Sequence, residues 1–283
     1  MPELPETETI ARDLDGALQG AVVRSATVLR ADVLRTPASG RRPRGAAAAK
    51  LVAALQHACA KATIRRVRRR AKSILIALDE RTLIVTPRFT GALLIDAARD
   101  DRYDCLRIAL GDGRSLTYRD VRRLGTVALA DATALEAWER SLGPEPLDPA
   151  LTSERFSGIL RASGRAVKSV LMDQRRLAGV GNIYANEALW RAGLRPARAA
   201  RRVTRDEAAR LLDVLRATLT ESIALRGTTF RDYQDAYGAR GGFADRLAVY
   251  GRGAAPCLRC DATLRESHAI DGRSTVWCAE CQR

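Results

Sequence analysis

Lysine is scarce in this chain. Of 48 basic residues only Lys50, Lys61, Lys72 and Lys168 are lysines, which leaves 44 arginines. Where lysine survives such a bias, a compact or titratable amine is one reason and chance is the other. Long apolar runs are also missing. No stretch is long enough to span a bilayer, no signal peptide is read at the start, and no basic amphipathic segment offers a membrane anchor. A membrane partner is not expected, and the expected location is cytoplasmic. Cysteine is sparing, with six residues, four of them in the pairs Cys257/Cys260 and Cys278/Cys281. This usage excludes a disulfide framework and leaves Cys59 and Cys105 as buried free thiols.

What is abundant is positive charge. The net charge of +15 and a pI near 10.4 favour a polyanionic partner, most often nucleic acid. With 283 residues and a hydrophobic fraction of 46%, the chain can bury one large core or two to three smaller ones.

Order along the chain follows from periodicity. Pro5, with Glu6 and Glu8 near the positive end, starts a helix over 5–18 whose apolar positions Ile10, Leu14 and Leu18 recur at helical spacing. Short β-rich runs follow at 21–28, 64–67, 73–78, 82–86, 92–96, 105–110, 115–119 and 127–130. A polar insert at 36–45 loops out, and 46–55 is a helix candidate. A Gly/Pro-rich linker centred on Leu142-Gly143-Pro144-Glu145-Pro146 leads to helices at 153–161, 166–172, 182–192 and 204–225. Residues 228–243 carry no periodicity and read as a mobile loop or lid. The expected domains are an N-terminal β-sandwich flanked by helices (1–135), a linker (136–151), a helical region ending in a loop (152–243) and a C-terminal hairpin carrying the cysteine pairs (244–283), an α+β multidomain chain.

Three stretches carry chemistry. If Met1 is removed, Pro2 becomes a secondary amine with a free-amine pKa of about 8, able to attack an aldehyde-like carbon and form a permanently charged iminium. Glu3 beside it can move protons. The same stretch also reads as a polar lead-in. Gly179-Val180-Gly181 before a helix fits either a phosphate cradle or an ordinary helix connection. The two Cys pairs, with 17 residues between them, have the spacing of a tetrahedral four-thiolate zinc site. No open position is apparent, so a single structural Zn2+ is expected.

Pro2-Glu3-Leu4-Pro5-Glu6, Arg70-Ala71-Lys72, Leu142-Gly143-Pro144-Glu145-Pro146-Leu147, Asp173-Gln174, Gly179-Val180-Gly181-Asn182-Ile183-Tyr184, Gly227-Thr228-Thr229, Val249-Tyr250-Gly251-Arg252 and the Cys pairs, in this order, resemble the formamidopyrimidine-DNA glycosylase family. The opening is similar to the branch acting on oxidised purines. The resemblance implies that the β-sandwich is the catalytic domain, that the helical region is a helix-two-turn-helix domain with a lesion-capture loop, and that the C-terminal hairpin is a zinc finger. It also implies a monomer that binds duplex DNA containing oxidised bases or abasic sites. Such an enzyme flips the damaged nucleotide and cuts the strand by β,δ-elimination. By similarity, Pro2 attacks C1′, Glu3 handles protons, Lys72 serves β-elimination, and Arg273 binds phosphate and serves δ-elimination. Asn182 matches a phosphate contact and Lys168 a lysine near the damaged nucleotide. Glu6 and Tyr250 join the expected DNA-binding set. Read without the resemblance, Lys72 closes the arginine run 65–70, which suits a solvated face or a phosphate contact equally.

Two departures mark this sequence. Phe89 stands where the family carries an intercalating methionine, and Leu124 where it carries an aromatic wedge; Arg122 retains the place of the residue that reads the orphaned base. Both replacements are apolar enough to part a base step. They leave the strand-cutting chemistry intact and keep open a preference for oxidised pyrimidines. A non-catalytic DNA-binding role, which a blocked or unprocessed N-terminus would favour, is the other alternative.

Overall fold

The computed structural model describes residues 2–37 and 40–283. Met1, on whose removal the reading of Pro2 depends, and part of the 36–45 insert lie outside the described residues. The chain divides into two units, Met1–Ser141 with Leu225–Gly242, and Leu142–Ala224 with Phe243–Arg283.

The first unit begins with α1 (Leu4–Leu18). Glu3 caps it and exchanges hydrogen bonds with Glu6 in a capping box, and Pro5 sits in the first turn where its missing N–H leaves nothing unpaired. Ile10, Leu14 and Leu18 are fully buried, each worth about 2 kcal/mol of apolar burial. There follow β1 (Val23–Val28), β2 (Leu34–Arg35), α2 (Gly45–Cys59), β3 (Arg66–Arg70), β4 (Ser73–Ala77), β5 (Thr82–Thr86), β6 (Gly91–Ile95), β7 (Asp104–Leu110), β8 (Ser115–Asp120), β9 (Thr126–Ala130) and α3 (Ala132–Arg140). One sheet has the order β1-β7-β8-β6 and the other β2-β9-β5-β4-β3. Val23, Leu93, Ile108 and Leu116 of the first meet Ile74, Ile76, Leu83 and Val85 of the second in a single core that also takes in α1. This is the expected sandwich. Arginine-rich β3 lies at a sheet edge, where its charges reach solvent and discourage edge-to-edge pairing.

Two elements were absent from the sequence reading. β2 is two residues long and pairs in parallel with β9, too short to show alternation. α3 has no buried residue; Ala134, Leu135 and Trp138 lie against Leu75, Ile84 and Ala128 on the outer face of the second sheet. Segment 225–242 joins this unit because Tyr233 and Ala236 enter the sandwich core and the Ile95 N–H donates to the Ala236 carbonyl at 2.9 Å.

The second unit holds α4 (Ser153–Arg161), α5 (Val167–Met172), α6 (Asn182–Ala192), α7 (Arg205–Ala224) and the hairpin β10 (Arg265–Ser267) and β11 (Thr275–Trp277). Nearly every residue of α6 is buried, so the other segments pack around it. Gly193 ends it with φ of 72°, and the Leu194 N–H reaches back to the Leu189 carbonyl, a Schellman closure that suits glycine. The motif around Gly143 has a steric reason: a Cβ there would stand 2.7 Å from the Leu177 backbone nitrogen. The Gly143 N–H donates to the Gln174 carbonyl, and the Ala178 N–H to that of Pro144. Among the described residues no helix is long and apolar enough to cross a membrane.

Candidate active site and metal centre

In the first unit the site grows from the start of α1. Pro2 and Glu3 are buried there. The Glu6 carboxylate joins two backbones: Oε2 accepts the Glu3 N–H at 2.8 Å and Oε1 accepts the Thr228 N–H at 2.7 Å. Tyr233 donates its hydroxyl to the Glu6 carbonyl at 3.4 Å, and its phenol is pushed above its ordinary pKa by burial and by Glu6. The loop after α7 is therefore fastened to the residues that open the chain. Arg226 adds a second fastening by donating to both Asp13 and Asp235 at 2.6 Å. Asp235 also accepts the Tyr237 and Ala239 N–H groups, which gives the loop an internal frame.

Lys72 lies in the two-residue turn joining β3 to β4, after Ala71 with φ of 53°. Two polar staples hold β3 to α1. The Val67 N–H donates to Asp15 at 2.6 Å and Arg69 donates to Glu8 at 2.8 Å. As β3 advances from Val67 to Arg69, its partners step back from Asp15 to Glu8, so the hairpin tip runs toward the N-terminal end of α1. Burial acts to raise the Glu8 pKa, but Arg69 and Arg12 outweigh it and hold the carboxyl below its ordinary value.

Phe89 and Leu124 are each 39% exposed, unusual for side chains of this size. Both sit on loops that Asp120 fixes. Its Oδ1 accepts from the Thr90 hydroxyl at 2.7 Å and the Arg122 N–H at 3.2 Å, and Oδ2 from the Gly125 N–H at 2.8 Å and the Tyr118 hydroxyl at 3.1 Å. The Arg122 guanidinium lies 4.9 Å from the Phe89 ring centroid. Arg123 pairs with Asp32 at 3.2 Å, tying the same loop down on its other side. One buried carboxylate thus organises an exposed apolar and cationic cluster.

In the second unit α5 and α6 hold the C-terminal hairpin. Lys168 is 0% exposed; its Nζ donates to the Ser274 carbonyl at 2.7 Å and to the Thr275 hydroxyl at 2.8 Å. Asn182 donates to the same carbonyl at 3.0 Å, and Asn186 accepts the Val276 N–H at 2.9 Å. Arg273 is exposed on the turn just before these contacts. Glu187, fully buried on α6, accepts the N–H groups of Ala248 (3.0 Å), Val249 (2.9 Å) and Tyr250 (2.9 Å), and pairs with Arg191. Tyr250 is partly exposed beyond this anchor. Gln174 closes the turn before α6 by accepting the Gly179 N–H and donating to the Val180 carbonyl.

The sulfurs of Cys257, Cys260, Cys278 and Cys281 all lie within 4.8 Å of one another. Cys257–Cys281, Cys260–Cys278 and Cys260–Cys281 are 3.9, 3.5 and 3.4 Å apart. Metal–sulfur bonds of about 2.3 Å in a tetrahedron require sulfurs roughly 3.8 Å apart, so the set fits one ion.

Two comparisons decide the kinship. Residues 1–127 match the formamidopyrimidine-DNA glycosylase N-terminal domain, and residues 142–234 match the formamidopyrimidine-DNA glycosylase H2TH domain. The chain belongs to the formamidopyrimidine-DNA glycosylase family. Curated family members from Herpetosiphon aurantiacus and a Roseiflexus species are 40% and 38% identical to it, each match covering the whole of both chains. Among solved structures, MutM (Fpg) from Thermus thermophilus superposes with a TM-score of 0.85 at 34% identity, covering 99% of this chain and 98% of that one. Lactococcus lactis Fpg bound to abasic-site DNA gives 0.87 at 28% identity, covering 99% of each.

The formamidopyrimidine-DNA glycosylase motifs read from the sequence therefore bring together Pro2, Glu3 and Glu6 in one unit, and Lys168, Asn182 and the Arg273 turn in the other. Sequence reasoning missed Asp120, Glu187 and Asn186 as site organisers. Asp120 and Glu187 are acidic residues in a strongly basic chain, flanked by loop glycines or by helix, and that contrast was the only available signal.

Proposed function

We propose that this chain removes oxidised purines from duplex DNA and then cuts the strand, with Pro2 as the nucleophile. Its family makes it a base-excision-repair DNA glycosylase with abasic-site lyase activity; the reacting groups are inferred. After loss of Met1, the Pro2 nitrogen attacks C1′ of the damaged nucleoside. The glycosidic bond breaks, and the base leaves with the bonding electron pair and a proton. The C1′–O4′ bond then opens, O4′ taking a proton from Glu3, and the Pro2 nitrogen lone pair forms the iminium to C1′. The iminium draws electrons from C2′, whose proton is lost as the 3′ phosphate departs; a second elimination releases the 5′ phosphate. Glu3 serves as the acid–base group at the sugar and Lys72 assists the first elimination. Phe89 and Leu124 fill the space left by the flipped nucleotide, with Arg122 beside them. Tyr250, Asn182 and exposed Arg273 contact backbone phosphates. Lys168 acts from within, anchoring the turn that presents Arg273.

The observation that supports this reading best is the Glu6 bridge. It joins the Glu3 backbone to the loop at Thr228 beside the buried Pro2. Borohydride with an 8-oxoguanine duplex is expected to trap one covalent adduct, which peptide mapping places on the Pro2 nitrogen; intact mass must show Met1 removed. Absence of a Pro2 adduct from processed protein would exclude the mechanism.

A second reading, preference for oxidised pyrimidines, is favoured by the Phe89–Arg122 stack. Competition between 8-oxoguanine and thymine glycol duplexes separates the two. The four-thiolate site holds one zinc ion of structural role: the cysteines would bind it as thiolates, and it supplies a cross-link for a hairpin too small to fold alone. The protein works as a cytoplasmic monomer that associates with the nucleoid when on DNA.

A further inference from the structure

The last turn of α6 presses on the cysteine cluster. Trp190 is 7% exposed and packs with Cys257, Cys278, Val249, Leu264 and Val276. Its indole nitrogen is fully buried and has no hydrogen-bond partner. A buried N–H left without a partner is costly, and buried indoles usually find one. Of the residues packed with it, only the cysteines offer a side-chain acceptor, and Cys257 opens the knuckle whose Arg259 lies against the ring. A neutral thiol is a weak acceptor and would compensate poorly. A metal-bound thiolate carries charge, and hydrogen bonds to charged acceptors are roughly twice as strong as neutral ones.

The same tryptophan is gripped by the first cysteine pair. Arg259, between Cys257 and Cys260, stands 4.1 Å from the Trp190 ring centroid. Its Nη1 donates to the Trp190 carbonyl and its Nη2 to the Arg191 carbonyl, both at 2.9 Å. These are carbonyls of the last helical turn, where a cation also complements the helix dipole. The knuckle therefore returns a cation to the helix end, while the helix lays its buried indole against the cysteines.

We propose that Trp190 supports the metal site directly, its indole N–H hydrogen-bonding to the metal-bound Cys257 thiolate while Arg259 clamps the ring, so that α6 and the metal site stabilise each other. This rests on the four-thiolate zinc reading and is independent of the glycosylase chemistry. A hydrogen bond to the thiolate draws charge off sulfur, slows attack by electrophiles and holds the sulfur in the geometry the ion requires.

The test uses the full-length protein, its zinc content first measured to establish one ion per chain. Trp190→Phe keeps an aromatic face for Arg259 and removes the N–H together with part of the buried ring. It is expected to weaken zinc binding about tenfold in competition with a chelating dye, the lower end of the range for such supporting contacts. In the cobalt(II)-substituted protein the sulfur-to-metal charge-transfer band moves to longer wavelength, a change that mere loss of packing does not produce. Alkylation of the chelated and native forms then finds Cys257 reacting earlier in the variant. Borohydride trapping of the Trp190→Phe protein stays near wild-type level while zinc is in excess. Unchanged zinc affinity with an unchanged cobalt spectrum overturns the proposal. If the variant fails to fold, the wild-type protein loaded with a spin-half cadmium isotope decides: scalar coupling between the metal and the Trp190 indole proton supports the hydrogen bond, and its absence overturns it. A wild-type protein that binds no zinc removes the metal reading itself, a result distinct from either.

Discussion

Glu187→Ala tests whether one buried carboxylate holds the Tyr250 loop in place. In the native chain three consecutive N–H groups, from Ala248, Val249 and Tyr250, end on that carboxylate at 2.9 to 3.0 Å, and Arg191 balances its charge. Truncation leaves three donors without an acceptor and one arginine without its partner. Ala248 and Val249 are buried, so water cannot replace the lost acceptor at those two N–H groups. At about 1–3 kcal/mol for each unsatisfied donor, and somewhat less for half-exposed Tyr250, the loss is about 3–5 kcal/mol, the range found when a buried ion pair loses one member. At about 3 °C per kcal/mol, the transition of the second unit falls by roughly 10–15 °C. Glu187→Gln retains one acceptor oxygen and should fall between the two. Calorimetry on the zinc-loaded protein measures this, and binding to an abasic-site duplex measures the functional share, since a loosened loop no longer presents Tyr250 and Arg252. A Glu187→Ala protein that melts within about 3 °C of wild type with undiminished DNA affinity would refute the reasoning.

Other outcomes follow from the same geometry. Gly125→Ala places a methyl on the Tyr118 hydroxyl and 2.9 Å from the Thr86 carbonyl, so the loop carrying Leu124 must move; a loss of about 1–3 kcal/mol and weaker DNA binding are expected, and thermal melts with gel-shift titrations check both. Phe89→Ala should slow excision of a base about tenfold or more, since a stacked contact is worth about 1–3 kcal/mol, while cleavage at preformed abasic sites changes less; single-turnover rates on the two duplexes separate these. Chelated protein should expose four reactive thiols to a thiol reagent and keep two silent, because burial pushes Cys59 up to about 12 and Cys105 up to about 11. Glu8 titrates below its unfolded value of 4.5, so its pairing with Arg69 contributes fully above that pH and is lost as pH falls through the lower folded value; Arg69→Met should flatten the acid limb of a stability–pH curve. Arg273→Ala should lower the slope of log affinity against log salt by about one, as expected for one lost phosphate contact.

Much of the fold was legible because its signals are periodic. Eight of nine sandwich strands and the long helices announced themselves by alternation or by helical spacing of leucines, as in Leu211, Leu212, Leu215 and Leu219 of α7. What stayed hidden had no period to show. β2 has two residues and exists only through its pairing with β9. α3 buries nothing completely, so its apolar stripe is diluted by charge. The fastening of 225–242 to the sandwich depends on Glu6 and Asp13, more than two hundred residues away in sequence.

The site divides along a similar line. Residues expected to meet DNA were readable from motif and charge, and most of those on the surface (Phe89, Leu124, Arg273) sit on turns. The residues that aim them are buried polar groups whose partners are backbone atoms. Asp120 and Glu187 each accept several N–H groups of a loop and Lys168 holds a carbonyl and a hydroxyl, roles that leave no trace in spacing. In a chain with 44 arginines, an exposed cation carries little information, since so many are present. The scarce groups carry more. Lys168 is one of four lysines, and it lies where a compact ammonium, buried and turned toward a carbonyl and a hydroxyl, fits better than a planar guanidinium. Lys168→Arg should therefore be more damaging than its conservative chemistry suggests, lowering zinc-hairpin stability and the rate of the second elimination together. Equal stability and an unaltered ratio of the two elimination products would instead place Lys168 outside the machinery that aims Arg273.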